Sequence, residues 1–82
     1  MRQKQRWGDA LRIVRAARKQ TQVTIARGAG ISAGHLNMIE GGHRVPSTAT
    51  LEALCDELWI PVAMMARIAE NPEKALGIEA VA

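Results

Sequence analysis

The feature of the sequence that most constrains the fold is a pair of short segments bounded by helix start and stop residues. Thr21 and Ser32 each precede a run of helix-forming residues, and their hydroxyls can accept a backbone N–H of the first helical turn. Gly30 lies between the two runs, where it can adopt the left-handed conformation that glycine adopts at little cost. The spacing predicts a helix over residues 22–28, a tight turn, and a second helix over residues 33–40.

Apolar residues at steps of three and four predict three more helices around this pair. Ser47 is a further candidate for a helix cap, and Pro61 is suited to a helix start. The predicted helices run over residues 7–18, 48–58 and 61–71. The apolar positions that define them are Trp7, Leu11 and Val14; Leu51, Leu54, Cys55 and Leu58; and Val62, Met65 and Ile68 or Ala69.

These five short helices predict an all-α fold, a compact five-helix orthogonal bundle. Eighty-two residues make one domain, and the absence of Tyr and Phe disfavours a β-sandwich or barrel. We expect the domain to cover residues 7–70, preceded by a basic arm over residues 1–6 and followed by a flexible tail over residues 71–82. For the arm, two interpretations stay open: a segment that tracks the backbone or a groove of a polyanion, or a solubilising disordered terminus.

The cysteine content and the hydropathy pattern predict a cytoplasmic protein. A single cysteine cannot form an internal disulfide, which is typical of a reducing compartment. The basic start of the chain lacks the apolar run of a signal peptide, because arginines interrupt it. No stretch approaches the roughly 18 consecutive apolar residues of a membrane span, so we expect no membrane partner.

The charge is divided unevenly between the two halves of the chain. Residues 1–44 hold nine Lys or Arg against two acids, a net charge of +7, and residues 45–82 hold two against six, a net charge of −4. A basic half of this kind indicates a surface for a polyanion, and the alternative is ordinary solvated helix charge.

The residues that could carry catalysis or hold a metal are few and poorly spaced. His35 and His43 stand eight residues apart, and Cys55 lies far from both on an apolar helix stripe. This spacing does not match a metal site, and a thiol among apolar residues is typical of an inert core position. We therefore expect no enzyme activity, no metal and no cofactor.

The segment from residue 22 to residue 41 forms a recognisable motif, since two helices with a short connection are typical of DNA-reading proteins. It resembles the Cro and lambda-repressor-like helix-turn-helix family, of the xenobiotic response element type, over most of the chain. The residues that carry the resemblance stand at the family's spacing without a gap. They are Thr21, Gln22, Ala26, Gly30, Ile31, Ser32, Leu36, Ile39, Glu40, Gly42, Pro46, Ser47 and Leu51.

The resemblance implies double-stranded DNA as the partner, with the third helix in the major groove. It implies base-reading positions at Ser32, Ala33, Gly34, Asn37 and Met38. It implies phosphate contacts at Thr21, Gln22, His35, His43 and Arg44. It also implies a structural ion pair between Arg15 and Glu40, which joins the first helix to the third.

The sequence departs from the family's pattern at several places. Ala33, Gly34 and Met38 replace longer polar side chains, so we expect weak specificity and reliance on DNA shape, or else a surface that has become a protein contact. Lys19 and Trp59 stand where the family tends to have helix-ending glycines. Trp59 is interpreted either as core or as part of a dimer seam. The candidate dimer contacts are Trp59, Met64, Met65 and Ile68.

Three functions are compatible with these features. The first is a homodimeric transcription regulator, a repressor, of a bacterial or phage-infected cell. The second is an antitoxin or a restriction-modification controller, which would also bind a protein partner such as a toxin or another regulator. The third is a protein-interaction adaptor built on a helix-turn-helix scaffold.

Overall fold

The protein is all-helical over the residues that its structure, a computed structural model, describes: residues 2–74, with side chains from Arg6 onward. No strand and no helix long and apolar enough to cross a membrane occurs in this range. The predicted all-α bundle of five helices is confirmed. The helices are α1 (Arg2–Ala17), α2 (Gln22–Ala29), α3 (Ala33–Glu40), α4 (Thr48–Glu57) and α5 (Val62–Glu70).

The two ends of the described chain differ from the predicted boundaries. Helix α1 begins at Arg2, not at Trp7, because the Arg, Gln and Lys residues of this segment are good helix formers. After α5, the side chain of Asn71 accepts a hydrogen bond from the Lys74 N–H at 3.1 Å, and residues 72–74 form one more helical turn. Residues 75–82 of the predicted tail lie outside the described residues.

Three of the helices begin at the predicted caps. The hydroxyls of Thr21, Ser32 and Ser47 accept the N–H of the residue three positions later, at 3.1, 2.9 and 3.1 Å. Each cap satisfies a backbone donor that has no partner within its helix, which stabilises the helix by about 1 kcal/mol. These short-range bonds fix the starts of α2, α3 and α4.

The core lies where α1 packs against α3 and α5, and α2 packs against α3 and α4. Burying a Leu, Ile or Met side chain fully stabilises the fold by about 1.5–3 kcal/mol. Buried residues of all five helices form this core, but Val62, one of the apolar positions predicted to face inward on the fifth helix, is exposed. The largest fully buried side chains of the core are Leu11, Leu36, Ile39, Leu54, Cys55, Leu58 and Met65.

Cys55 lies on the buried side of α4, with 1% of its surface exposed. Burial, assisted by the nearby carboxylate of Asp56, raises the pKa of the Cys55 thiol to about 11. The thiolate is the nucleophilic form of cysteine, so a raised pKa keeps this thiol unreactive near neutral pH. The side chain acts as a small apolar residue of the core.

Of the described residues other than glycine, two adopt the left-handed backbone conformation, and each follows the end of a helix. Lys19 follows α1 with φ 58°, and Trp59 follows α4 with φ 60°. In both turns a backbone N–H bonds back across the helix end, from Gln20 to the Arg15 carbonyl and from Ile60 to the Cys55 carbonyl, each at 3.1 Å. This helix-ending turn favours glycine, because a Cβ in this conformation crowds the backbone.

We predict that Lys19→Gly stabilises the protein by about 1 kcal/mol, because glycine removes the strain of the left-handed conformation. Thermal unfolding followed by circular dichroism should show Tm rising by about 4–8 °C for a domain of this size. Lys19→Ala is the matched control: it removes the same side chain and keeps the Cβ. Equal stability of the two variants would contradict the prediction.

Candidate nucleic-acid interface

The turn between α2 and α3 is built by Gly30. Its φ of 79° and ψ of 24° place it in the left-handed region, and its N–H bonds to carbonyl oxygens of the last turn of α2. The N–H of Ile31 reaches back to the Ala26 carbonyl at 3.0 Å. Ala26 is 1% exposed, so a larger side chain would not fit at this point of the core. The tight turn thus sets α3 directly against α2, as the sequence predicts.

Helix α3 has one anchored face and one open face. Leu36 and Ile39 are buried in the core. On the open face, Ser32, Gly34, Asn37 and Met38 are exposed, while Ala33 and His35 are half-buried. The structure therefore brings the five predicted base-reading positions together at the start and along the outer side of one helix.

The end of α3 is held by an ion pair with α1. The Nε atom of Arg15 donates to Oε2 of Glu40 at 2.7 Å, and its Nη2 atom donates to Oε1 at 2.9 Å. Hydrogen bonding to this carboxylate raises the pKa of the Arg15 guanidinium. A third bond, from Nη1 of Arg15 to the Gln20 carbonyl at 2.8 Å, ties the same side chain to the turn before α2.

Gln22, at the start of α2, extends this contact toward the open face of α3. Its Nε2 atom donates to Oε1 of Glu40 at 3.0 Å. Its Oε1 atom accepts a bond from Nδ2 of Asn37 at 3.5 Å. A continuous set of hydrogen bonds therefore runs from Arg15 through Glu40 and Gln22 to Asn37. We call these four residues the polar relay.

Four of the five predicted phosphate-contacting residues flank α3 along the chain, and the fifth, His35, lies within the helix. Thr21 is exposed and Gln22 half-buried at the N-terminus of α2, where unpaired N–H groups favour an anion. His43 and Arg44 are exposed in the loop that follows α3. The N–H of His43 bonds to the Met38 carbonyl at 2.9 Å, so this loop begins as a continuation of the helix end.

The charge of this region suits a polyanion. Within residues 21–46 the sequence holds a single acid, Glu40, which is buried and paired with Arg15. Arg27 and Arg44 are exposed on the same stretch of chain. The helix pair and the loop after it therefore carry exposed positive charge and no exposed carboxylate of their own to repel phosphate.

The predicted dimer contacts separate into exposed and buried residues. Trp59 is 85% exposed, which rules out its interpretation as a core residue, and Met64 is 46% exposed. Ile68 is half-buried and packs against the core. The prediction of Met65 as a dimer contact is wrong, because Met65 is fully buried on the inward side of α5, where the apolar periodicity places it. Exposed Val62 lies near them at the start of α5.

Two residues of structural importance were missed from the sequence. A Cβ at Gly8 would collide with the carbonyl oxygen of Ile39, so α1 and the end of α3 are in backbone contact there. A glycine within a helical pattern was the available indication of this contact. Arg18 donates to the carbonyls of Leu58 at 2.9 Å and Trp59 at 3.1 Å, which closes the end of α4. No pattern in the sequence indicates this bond.

Comparisons with known proteins agree with this geometry. The transcriptional regulator ClgR of Mycobacterium tuberculosis is 34% identical over 58 residues, which are 71% of this chain and 52% of that protein. The transcriptional repressor RghR of Bacillus subtilis is 41% identical over 56 residues, which are 67% of this chain and 42% of that protein. The chain thus spans about half of the length of these relatives, or less.

Solved structures and a family model complete the comparison. The clp gene regulator ClgR from Corynebacterium glutamicum superposes with a TM-score of 0.83 at 28% identity, covering 87% of this chain and 92% of that one. The restriction-modification controller protein C.AhdI from Aeromonas hydrophila gives 0.73 at 26% identity, covering 76% and 94%. The family model described as a helix-turn-helix domain matches residues 6–68. The chain belongs to the helix-turn-helix domain family, as its resemblance to Cro and lambda repressor predicted.

Proposed function

We propose that this protein is a transcription regulator that binds double-stranded DNA with α3 in the major groove. The observation that carries the proposal is the asymmetry of α3. Leu36, Ile39 and Glu40 anchor the helix to the bundle, while Ser32, Gly34 and Asn37 stand exposed on its open side. A helix held in this way is able to enter a groove without unfolding the core, which is how helix-turn-helix proteins read base edges.

Contacts to the DNA backbone would come from residues on both sides of α3. The N-terminus of α2 offers Thr21 and Gln22, and the loop after α3 offers His43 and Arg44. His35 is half-buried beside the open face. Such contacts fix the register of a protein on the duplex without reading its sequence.

The regulatory role is proposed from the relatives. ClgR is named a transcriptional regulator and RghR a transcriptional repressor, so repression in the bacterial or phage-infected cytoplasm is the first candidate role, without enzyme activity. The likeness to C.AhdI favours a restriction-modification controller as the second. An antitoxin with a toxin partner, or a protein adaptor, would predict a tight protein complex instead.

We expect the purified protein to bind selected duplex DNA in preference to a scrambled duplex, with an affinity that falls steeply with salt. The logarithm of the binding constant should decline with the logarithm of salt concentration by about 0.9 per phosphate neutralised. Fluorescence anisotropy at several salt concentrations measures both quantities. Equal weak binding to both duplexes would contradict the proposal and favour the adaptor.

We predict that Gly34→Ala stabilises the protein and weakens its binding to DNA. The position is helical, and an added Cβ would meet nothing closer than Oγ of Ser32 at 3.9 Å, so the helix should gain about 0.5–1 kcal/mol. If bases approach the bare backbone there, the methyl group lowers the affinity. Unfolding and anisotropy measurements test the two effects. A stabilised variant with unchanged affinity would show that Gly34 does not face DNA.

We also propose that the protein acts as a homodimer, because one helix pair of this size reads few bases. Exposed Trp59, Met64 and Val62 give an apolar surface around the α4–α5 connection, with half-buried Ile68 on α5. Trp59, at 85%, is the most exposed of the large apolar residues that the structure describes, and strained backbone conformations such as its own cluster at functional sites. A second copy of the chain is the proposed occupant.

We predict that Trp59→Gly weakens the dimer at least about tenfold, which corresponds to about 1.4 kcal/mol, while it stabilises the monomer by removing a positive φ. Sedimentation equilibrium measures the dimer, and unfolding at low protein concentration measures the monomer. Lys19→Gly is the matched control, since it removes the same strain outside the proposed seam. A wild-type protein that is monomeric at high micromolar concentration would refute the homodimer.

A further inference from the structure

Asn37 is the one side chain of α3 with an amide, and amides form paired hydrogen bonds with a base edge. Its Nδ2 atom already donates one of its two hydrogens to Oε1 of Gln22, at 3.5 Å. The Oδ1 atom and the second hydrogen of Nδ2 have no protein partner among the described residues. The exposed amide therefore presents one acceptor and one donor.

The orientation of Gln22 decides which way Asn37 faces. The carboxylate of Glu40 only accepts hydrogen bonds, so it holds the Nε2 end of Gln22, at 3.0 Å. Rotating the Gln22 amide by half a turn would bring its oxygen against this carboxylate. Its Oε1 atom is consequently fixed toward Asn37, where it holds the Nδ2 end of that amide.

The carboxylate itself has one orientation available to it. Arg15 binds both of its oxygens, at 2.7 and 2.9 Å, and Glu40 is 7% exposed. A bidentate pair of this geometry fixes direction as well as distance. The orientation of the buried Glu40 carboxylate thus sets the orientation of the exposed Asn37 amide through one intervening side chain, Gln22.

We propose that the polar relay orients Asn37 to read adenine, with Gln22 and Glu40 as positioning residues. The inference rests on the proposed DNA-binding function. Adenine offers an acceptor, N7, beside a donor, the N6 amino group. These two groups match the free hydrogen of Nδ2 and the Oδ1 atom of Asn37. Guanine offers two acceptors, N7 and O6, and would require both hydrogens of Asn37, of which Gln22 occupies one.

The test begins with selection of preferred duplexes by the wild-type protein from a randomised pool. Binding constants are then measured for duplexes in which each base pair is changed singly. We expect adenine at one position of each half-site, and Asn37→Ala should lower the preference for it about tenfold. The other positions should keep their preferences. Asn71→Ala is the matched control, because it truncates the same kind of side chain at an exposed position after α5, outside the relay and outside the proposed DNA-contacting residues.

Gln22→Met, which keeps the length of the side chain, separates positioning from phosphate binding. Loss of a phosphate contact lowers affinity equally for every duplex. Loss of the relay also lowers the adenine preference at the Asn37 position, by about threefold or more, and the double variant should lose no more preference than Asn37→Ala alone. Circular dichroism of each variant verifies that it is folded.

The outcomes distinguish the inference from the function on which it rests. A wild-type protein that prefers no duplex refutes both. The inference alone is refuted if the wild-type protein is specific and its base preferences survive Asn37→Ala. It is also refuted if Asn37→Ala lowers the preference at a base pair where the preferred base is not adenine. A uniform loss of affinity in Gln22→Met, with the adenine preference intact, removes Gln22 and Glu40 as positioning residues.

Discussion

The burial of one carboxylate determines how the three functional helices fit together. Glu40 lies in the last turn of α3, where the unpaired carbonyl groups of the helix end already make a negative charge unfavourable. Removing an ion from water costs several kcal/mol, and this is offset only when partners of good geometry replace the water. Those partners are Arg15 of α1 and Gln22 of α2. The carboxylate is therefore satisfied only when both of the other helices are in place, which selects this arrangement over others of similar hydrophobic burial.

The same anchoring explains how a helix of eight residues can serve as a rigid reading element. An isolated helix of this length is unstable in water, so its order comes from its contacts. These contacts lie on one side and toward its end: Leu36 and Ile39 in the core, Glu40 in the ion pair, and the backbone of α1 at Gly8. The start of the helix is fixed by the cap at Ser32 and the turn at Gly30. Rigidity and accessibility thus occupy different faces of the same helix.

The features that sequence could predict were the local ones. The caps at Thr21, Ser32 and Ser47 and the turn at Gly30 depend on residues within a few positions, so their chemistry is readable from the chain. The helical periodicity located the core and placed Met65 and Ala69 on the inward side of α5, where both are buried, but it also placed Val62 there, and Val62 is exposed. The exposure of Trp59 and the bond from Arg18 to the end of α4 join distant parts of the chain and had no local pattern. The relay from Glu40 to Asn37 belongs to this second kind.

The free energy that one reading side chain supplies indicates where specificity would arise on such a plain surface. Ser32, Ala33 and Gly34 have short side chains, so Asn37 is the one residue of the predicted reading set whose side chain is able to form paired bonds to a base. One such pair discriminates by about 1–3 kcal/mol, and two copies in a homodimer by about 2–6 kcal/mol. Specific sites are typically bound about 4–10 kcal/mol more tightly than random DNA. The remainder has to come from DNA shape and from the spacing of the two half-sites. Small side chains assist the reading of shape, because they let the helix lie close to the groove floor. A surface with few reading side chains is therefore consistent with a specific regulator, provided that dimer geometry supplies the second part of the recognition.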